Sequence, residues 1–284
     1  MHLTRHQTPE GPRWALDERY LPKELRLDLV LQLPKAAVAD FLRSIPFGEV
    51  ASDPLLAPLE PMHEVWAAGV TYLRSREARE AESTVKDVYA RVYDAQRPEL
   101  FFKAIGWRVV GSKMPIRVRD DSRWNVPEPE LALVINSRSE IIGHCVGDDV
   151  SSRDIEGDNP LYLPQAKIYD GSCALGPAIH LGDTERLGDL SIHLAVTRGG
   201  RSVFEGETRT AKMKRALEEL VGYLVDELDF PRGVFLMTGT GIVPPEDFSL
   251  QRGDVVRITM GSLVLENEVD NRPRSIGRAA KPSG

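Results

Sequence analysis

Between Val126 and Asp149 the chain carries a pattern that admits essentially one local structure. Val126-Pro127-Glu128-Pro129-Glu130 runs into five apolar residues, Leu131 to Ile135; Asn136 to Glu140 read as a turn, and Ile141 to Val146 read as a returning strand. This predicts a β-hairpin with a loop of about five residues. Side chains alternate in an extended chain, so Glu128 and Glu130 fall on one side, about 6 to 7 Å apart. With Ile135 opposite Ile141, the antiparallel register carries Asp148 opposite Glu128 with Asp149 beside it; a β-bulge would bring Asp149 there instead. Carboxylates gathered in this way repel one another unless a cation neutralises them. An all-oxygen set suits Mg²⁺, Mn²⁺ or Ca²⁺ better than zinc. The competing reading is an exposed edge, with prolines blocking aggregation and both glutamates solvated.

The rest of the chain is strand-rich. Strands are expected around Val65–Val70, Leu100–Phe102, Ile192–Val196 and Val255–Met260, and helices over Ser75 to about Ala95 and over Thr208 to Leu228. In the second helix Met213, Leu217, Leu220, Val221, Leu224 and Leu228 fall on one face. Because βαβ alternation is missing, an α+β fold with a β-rich mixed sheet is expected over a doubly wound one. Residues 1–62, proline-rich around short apolar runs and with one helix at Lys35–Ile45, are expected to form a small N-terminal subdomain, and residues 63–284 the main domain, with a frayed tail from Asn271.

With 284 residues the chain can bury a substantial core. No apolar run is long enough to span a membrane and the start lacks the apolar core of a signal peptide, so a cytoplasmic protein is expected. The net charge of −7, with basic residues scattered among acidic ones, argues against a nucleic-acid partner. Cys145 and Cys173 are too few for a disulfide framework and are expected to be reduced and buried. His144 and His180 have no ligand-spaced partner in the sequence and read as structural.

Pro127-Glu128-Pro129-Glu130-Leu131-Ala132-Leu133-Val134, then Asp149-Val150-Ser151-Ser152-Arg153-Asp154, then Gln165-Ala166-Lys167 resemble the fumarylacetoacetate hydrolase superfamily. The resemblance continues in Gly69-Val70-Thr71-Tyr72, Leu100-Phe101-Phe102-Lys103, Thr238-Gly239-Thr240-Gly241 and Arg252-Gly253-Asp254-Val255-Val256, and so spans about residues 65 to 270. It implies that Glu128, Glu130 and Asp149 hold Mg²⁺ or a similar ion, which selects Asp149 over Asp148. The stretches Ser75 to Glu80 and Asp154 to Lys167 are similar to the branch of 2-keto-3-deoxy-pentonate dehydratases, which turn 2-dehydro-3-deoxy-D-pentonate into 2,5-dioxopentanoate. The chain departs from the hydrolytic members in two places. Ser75 stands where they usually carry a histidine three residues after the tyrosine, and Glu156 stands where glutamine is common.

A metal chelated by the C1 carboxylate and C2 ketone of a 2-oxo acid would stabilise an enolate as a C3 proton leaves. Lys167 is the candidate base, with electrostatic clamping of substrate as its alternative role; Glu99 or Glu156 would protonate the departing C4 hydroxyl. Ser75, Arg76, Arg153 and Thr240 are the candidate substrate-binding residues. Three of them have a plainer role open to them, Arg153 an ion pair with Asp154, Thr240 a glycine-rich turn and Ser75 a helix N-cap. The leading expectation is therefore a metal-dependent dehydratase acting on a small 2-oxo acid, and the resemblance alone implies a homo-oligomer, a dimer or tetramer. A carbon–carbon hydrolase or oxaloacetate decarboxylase is the second reading, and a metal-stabilised protein without catalysis the third.

Overall fold

The computed structural model describes residues 1–82, 91–182 and 184–270, with the side chains of 79, 81 and 82 left aside. The first sixty residues supply β1 (His2–Thr8), β2 (Gly11–Leu16), β3 (Arg19–Tyr20) and β4 (Leu55–Leu56), with the helices α1 (Leu27–Val30) and α2 (Lys35–Ser44). There follow β5 (Glu64–Gly69), α3 (Leu73–Glu82), β6 (Glu99–Ile105), β7 (Asn125–Val126), β8 (Pro129–Ile135), β9 (Ile141–Asp149) and β10 (Ser151–Ser152). Beyond these lie α4 (Arg153–Asp158), α5 (Leu163–Lys167), β11 (Cys173–Leu181), β12 (Ser191–Arg198), β13 (Arg201–Arg209), α6 (Leu217–Val225), β14 (Val234–Met237), β15 (Val255–Met260) and β16 (Leu263–Glu268).

A ten-stranded sheet runs β3-β2-β1-β11-β9-β8-β14-β5-β6, with β4 paired to β1; a four-stranded sheet runs β13-β12-β15-β16, and β10 pairs with β7. The β14–β5 pair is parallel and β14–β8 antiparallel, so the large sheet is mixed, as the strand-rich text predicts. Its centre is β8, buried along its whole length. Leu131, Leu133 and Ile135 enter the core shared with the four-stranded sheet, while Ala132 and Val134 enter a second core containing Leu27 of α1 and Val38 and Leu42 of α2. A strand buried on both faces needs an unbroken apolar run, and Leu131 to Ile135 is one. The boundary expected after residue 62 falls between β4 and β5, and β1 hydrogen-bonds β11, so the N-terminal strands extend the large sheet.

The helix expected over Thr208–Leu228 is corrected to Leu217–Val225. Thr208 belongs to β13 and pairs with Ile192, and Met213 reaches the core from extended backbone. Cross-strand pairing overrides a local helical period. The first predicted helix begins at Leu73; its middle falls outside the described residues, as does the tail from Asn271.

Candidate metal and active site

The β8–β9 hairpin forms where expected but with one change of register. Ile135 faces Ile141, yet Val134 faces Gly143 and Pro129 faces Asp148, leaving Ile142 as an extra residue. This bulge slides the acidic end by one position, and the Asp149 amide donates to the Glu128 carbonyl at 2.9 Å. Asp149 therefore comes opposite Glu128. Asp148 pairs with Pro129 and accepts from the Glu128 amide at 3.0 Å. Burial is the largest of the influences that push the Asp148 carboxyl up to about 7.

Glu128, Glu130 and Asp149 are all buried, and each offers an oxygen such that the three lie within 4.8 Å of one another. Their surroundings differ. Glu128 accepts from Arg153 at 2.9 Å and from Lys167 at 2.7 Å. Asp149 accepts from Lys167 at 3.0 Å and faces Lys103 at 2.5 Å. Glu130 accepts from the Gly239 amide at 2.6 Å and has no ion-pair partner among the described residues. Burial, then the charges of Asp149 and Glu128, hold its carboxyl well above the usual range. A buried carboxylate beside two others, with the Gly239 amide as its donor, is a place that a hard divalent cation fits.

Around these carboxylates Ser75, Glu99, Glu156, Lys167 and Thr240 line one narrow cleft with Gly69, Val70 and Gly239, enclosing about 10 Å³. Glu99 stands opposite Gly69 in the β5–β6 ladder, and a Cβ on Gly69 would lie 2.0 Å from Glu99 Oε2. The glycine is what gives this carboxylate room. Val70 is held at φ 53°, a strained backbone for a β-branched residue. The Lys167 ammonium also donates to Ser151 Oγ at 2.6 Å. Thr240 Oγ1 accepts from the Ile242 amide at 3.2 Å.

Two of the expected residues are placed elsewhere. Arg153 is buried against Glu128 and not paired with Asp154, whose carboxylate accepts from Ser122 and the Arg123 amide. Arg76 lies over the Tyr93 ring, 4.9 Å from its centroid, and outside the cleft lining. Lys103 was not foreseen as a site residue. It is buried, and besides Asp149 it donates to the Lys167 and Val150 carbonyls, tying the end of the helix that carries Lys167 to the hairpin. The available signal was a lone lysine inside the apolar run Leu100-Phe101-Phe102-Lys103-Ala104-Ile105, since a charge in a buried strand requires a partner.

The family model described as fumarylacetoacetate (FAA) hydrolase C-terminal matches residues 64–270. A Haloferax volcanii protein named "Probable 2-keto-3-deoxyxylonate dehydratase" is 48% identical over 208 residues, 72% of each chain. The Saccharolobus solfataricus 2-dehydro-3-deoxy-D-arabinonate dehydratase is 46% identical over 211 residues, 72% of this chain and 70% of the other. A solved structure of 2-keto-3-deoxy-D-arabinonate dehydratase complexed with magnesium and 2,5-dioxopentanoate superposes with a TM-score of 0.81 at 37% identity, over 96% of this chain and 100% of the other.

Proposed function

The chain belongs to the fumarylacetoacetate hydrolase family, and from that premise we propose that it is a Mg²⁺-dependent dehydratase converting 2-dehydro-3-deoxy-D-pentonate to 2,5-dioxopentanoate. The observation that carries this reading is the position of Lys167, hydrogen-bonded to Glu128 and Asp149 in the cleft that Glu99 also lines. It is supported by two relatives named as dehydratases of this substrate class and by a structural relative complexed with magnesium and the dioxo product.

Glu128, Glu130 and Asp149 would hold the ion, which would supply Lewis acidity to a bound 2-oxo acid and so acidify its C3. Lys167 takes the C3 proton. Glu99 gives a proton to the C4 hydroxyl, which leaves as water. The unsaturated 5-hydroxy acid that remains becomes the 2,5-dioxo product by two proton shifts, from C5 to C3 to give an enol and then from the C5 hydroxyl to C4, with no further atoms gained or lost. Ser75 and Thr240 meet the substrate, and Arg153 fixes the orientation of Glu128 from behind. Glu156 is the alternative acid; comparing Glu99→Gln with Glu156→Gln on turnover separates the two. Ser75, near the start of α3, brings that helix into the cleft lining.

The second reading, hydrolysis of a carbon–carbon bond, requires a base of near-neutral pKa to activate water. No histidine lines the cleft among the described residues, and the position three after Tyr72 is Ser75. Purified protein with Mg²⁺ should therefore form 2,5-dioxopentanoate, measured through a coupled semialdehyde dehydrogenase, far faster than it hydrolyses acylpyruvates. The opposite preference would overturn the lyase reading and leave the metal site standing. We read the enzyme as a cytoplasmic homo-oligomer, a state that sedimentation would measure directly; no helix among the described residues is long and apolar enough to cross a membrane.

A further inference from the structure

Each carboxylate of the cluster has one oxygen engaged by a group that lies outside the cluster. Arg153 Nη2 donates to Glu128 Oε1 at 2.9 Å, the Gly239 amide donates to Glu130 Oε2 at 2.6 Å, and the Lys103 ammonium stands 2.5 Å from Asp149 Oδ1. The second oxygens of Glu128 and Asp149 converge instead. Lys167 Nζ lies 2.7 Å from Glu128 Oε2 and 3.0 Å from Asp149 Oδ2, so a single cation reaches both. Lys103 and Arg153 are 1% and 2% exposed, which keeps water from screening the charges they set against these outer oxygens. The backbone pins Lys103 further. It donates to the Lys167 carbonyl at 2.5 Å and, at 3.4 Å, to the Val150 carbonyl and Ser172 Oγ. Together with Asp149 these contacts use all the N–H donors of an ammonium, so Lys103 is placed to hold Asp149 and not to meet substrate.

A carboxylate can grip Ca²⁺ with one oxygen or with both, in a flexible shell of about 6–8 oxygens, whereas Mg²⁺ demands near-octahedral geometry at ~2.0–2.1 Å. A two-oxygen grip brings the ion against whatever holds the outer oxygen. At Asp149 that is the Lys103 ammonium and at Glu128 the Arg153 guanidinium, and like charges repel strongly where water is excluded. We propose that Lys103 and Arg153 are positioning residues that select the size of the ion: they confine Asp149 and Glu128 to one oxygen each, so that the site takes Mg²⁺ or Mn²⁺ in preference to Ca²⁺. The inference rests on the reading of Glu128, Glu130 and Asp149 as the ion's ligands and adds the choice among ions. It requires no rearrangement, because the confining contacts are present in the fold. Removing either outer cation frees an oxygen for a larger ion and leaves the ligand less well oriented for a small one.

Calorimetric titration of chelator-stripped protein with Mg²⁺ and with Ca²⁺ tests this. The wild type should bind Mg²⁺ more tightly than Ca²⁺. Lys103→Met and Arg153→Met should each lower the ratio of Mg²⁺ to Ca²⁺ affinity about 10-fold or more. In Lys103→Met the Lys167 carbonyl keeps its bond from Ser172 Oγ at 2.8 Å, and a cooperative melt in Ca²⁺ shows that the variant is folded. Ser172→Ala, which removes a hydroxyl bonded to the Lys167 and Tyr169 carbonyls, should keep the wild-type ratio. A second measurement needs no change at Lys103. In infrared difference spectra of protein carrying ¹³C-carboxylate aspartate, the Asp149 bands, identified by their loss in Asp149→Asn, should show the wide splitting of a one-oxygen ligand with Mg²⁺. If Lys103→Met does not fold, this splitting decides. A narrow two-oxygen splitting, an unchanged affinity ratio in folded Lys103→Met, or an equal shift in Ser172→Ala overturns the proposal and leaves the carboxylates as ligands. Undiminished Mg²⁺ affinity in Glu130→Gln overturns the ligand reading, and the proposal with it.

Discussion

Glu130 and Lys167 occupy one cleft under opposite electrostatic conditions, and their substitution should have opposite effects in the absence of metal. The Glu130 carboxyl is raised by burial and by its carboxylate neighbours. Its ionisation in the fold is thus an expense that grows as pH rises above the unfolded value near 4.5 and reaches its full size above the raised folded value. In chelator, Glu130→Gln should melt at or above the wild-type temperature at pH 7 and show a flatter decline toward alkaline pH, while Mg²⁺ should no longer raise its melting temperature. A Glu130→Gln protein that is markedly less stable than wild type in chelator would contradict this electrostatic account. Lys167, by contrast, holds two buried carboxylates. Lys167→Met should lose about 3–5 kcal/mol in chelator, seen by urea denaturation, with much of the loss recovered in Mg²⁺. It should also abolish deuterium exchange at C3 of 2-oxobutyrate. Wild-type exchange in this variant would remove Lys167 from the role of base.

At the scale of elements, the site depends on two glycines that hold strand ends close together. Gly69 ends β5 opposite Glu99, and Gly239 follows β14 at φ 89°, donating its amide to Glu130. A Cβ on Gly239 would come 2.1 Å from Thr71 Oγ1. Gly69→Ala should push the Glu99 carboxylate aside, lowering kcat about 10²-fold or more with Mg²⁺ affinity unchanged. Gly239→Ala should instead weaken Mg²⁺ binding itself, because it displaces the donor that orients Glu130. Calorimetry and turnover measured on both variants separate these outcomes, and equal effects on metal affinity would show that the two turns do not act independently.

For the whole molecule, the large sheet carries both the carboxylate end of the hairpin and the buried His144 on the same strand, so its acid stability should report on His144. Burial lowers this group from 6.5 to about 4 in the fold. Between those values the unfolded chain binds more protons than the folded one, and stability is therefore lost as pH falls from about 6.5 to 4 and is fully present above. The loss attributable to His144 is on the order of 3 kcal/mol. His144→Gln should flatten the melting temperature across this window relative to wild type, measured in chelator. An unchanged acid slope would show that His144 is not buried as described.

What the sequence determined by itself is what local periodicity encodes. The alternation and turn chemistry between Val126 and Asp149 specify a hairpin with two glutamates on one side, the apolar run of β8 specifies a doubly covered strand, and Lys35 to Ser44 specify a helix. Spacing alone did not choose between Asp148 and Asp149. That choice rests on a bulge at Ile142, whose side chain is buried in the core that α2 helps to form, and a bulge follows from packing against another element. The same holds at Thr208 and Arg209, where helical spacing gave way to pairing with β12; a short 3-10 turn at Thr210–Lys212 follows, and the helix starts only at Leu217. Lys103 beneath Asp149, Gly239 against Glu130 and the alignment of His2, His180 and His144 arise from contacts between chain segments tens to more than a hundred residues apart. Such contacts are fixed by strand order and register, which minimise buried polar groups over the whole sheet and leave no trace in the dihedral preferences of any one segment.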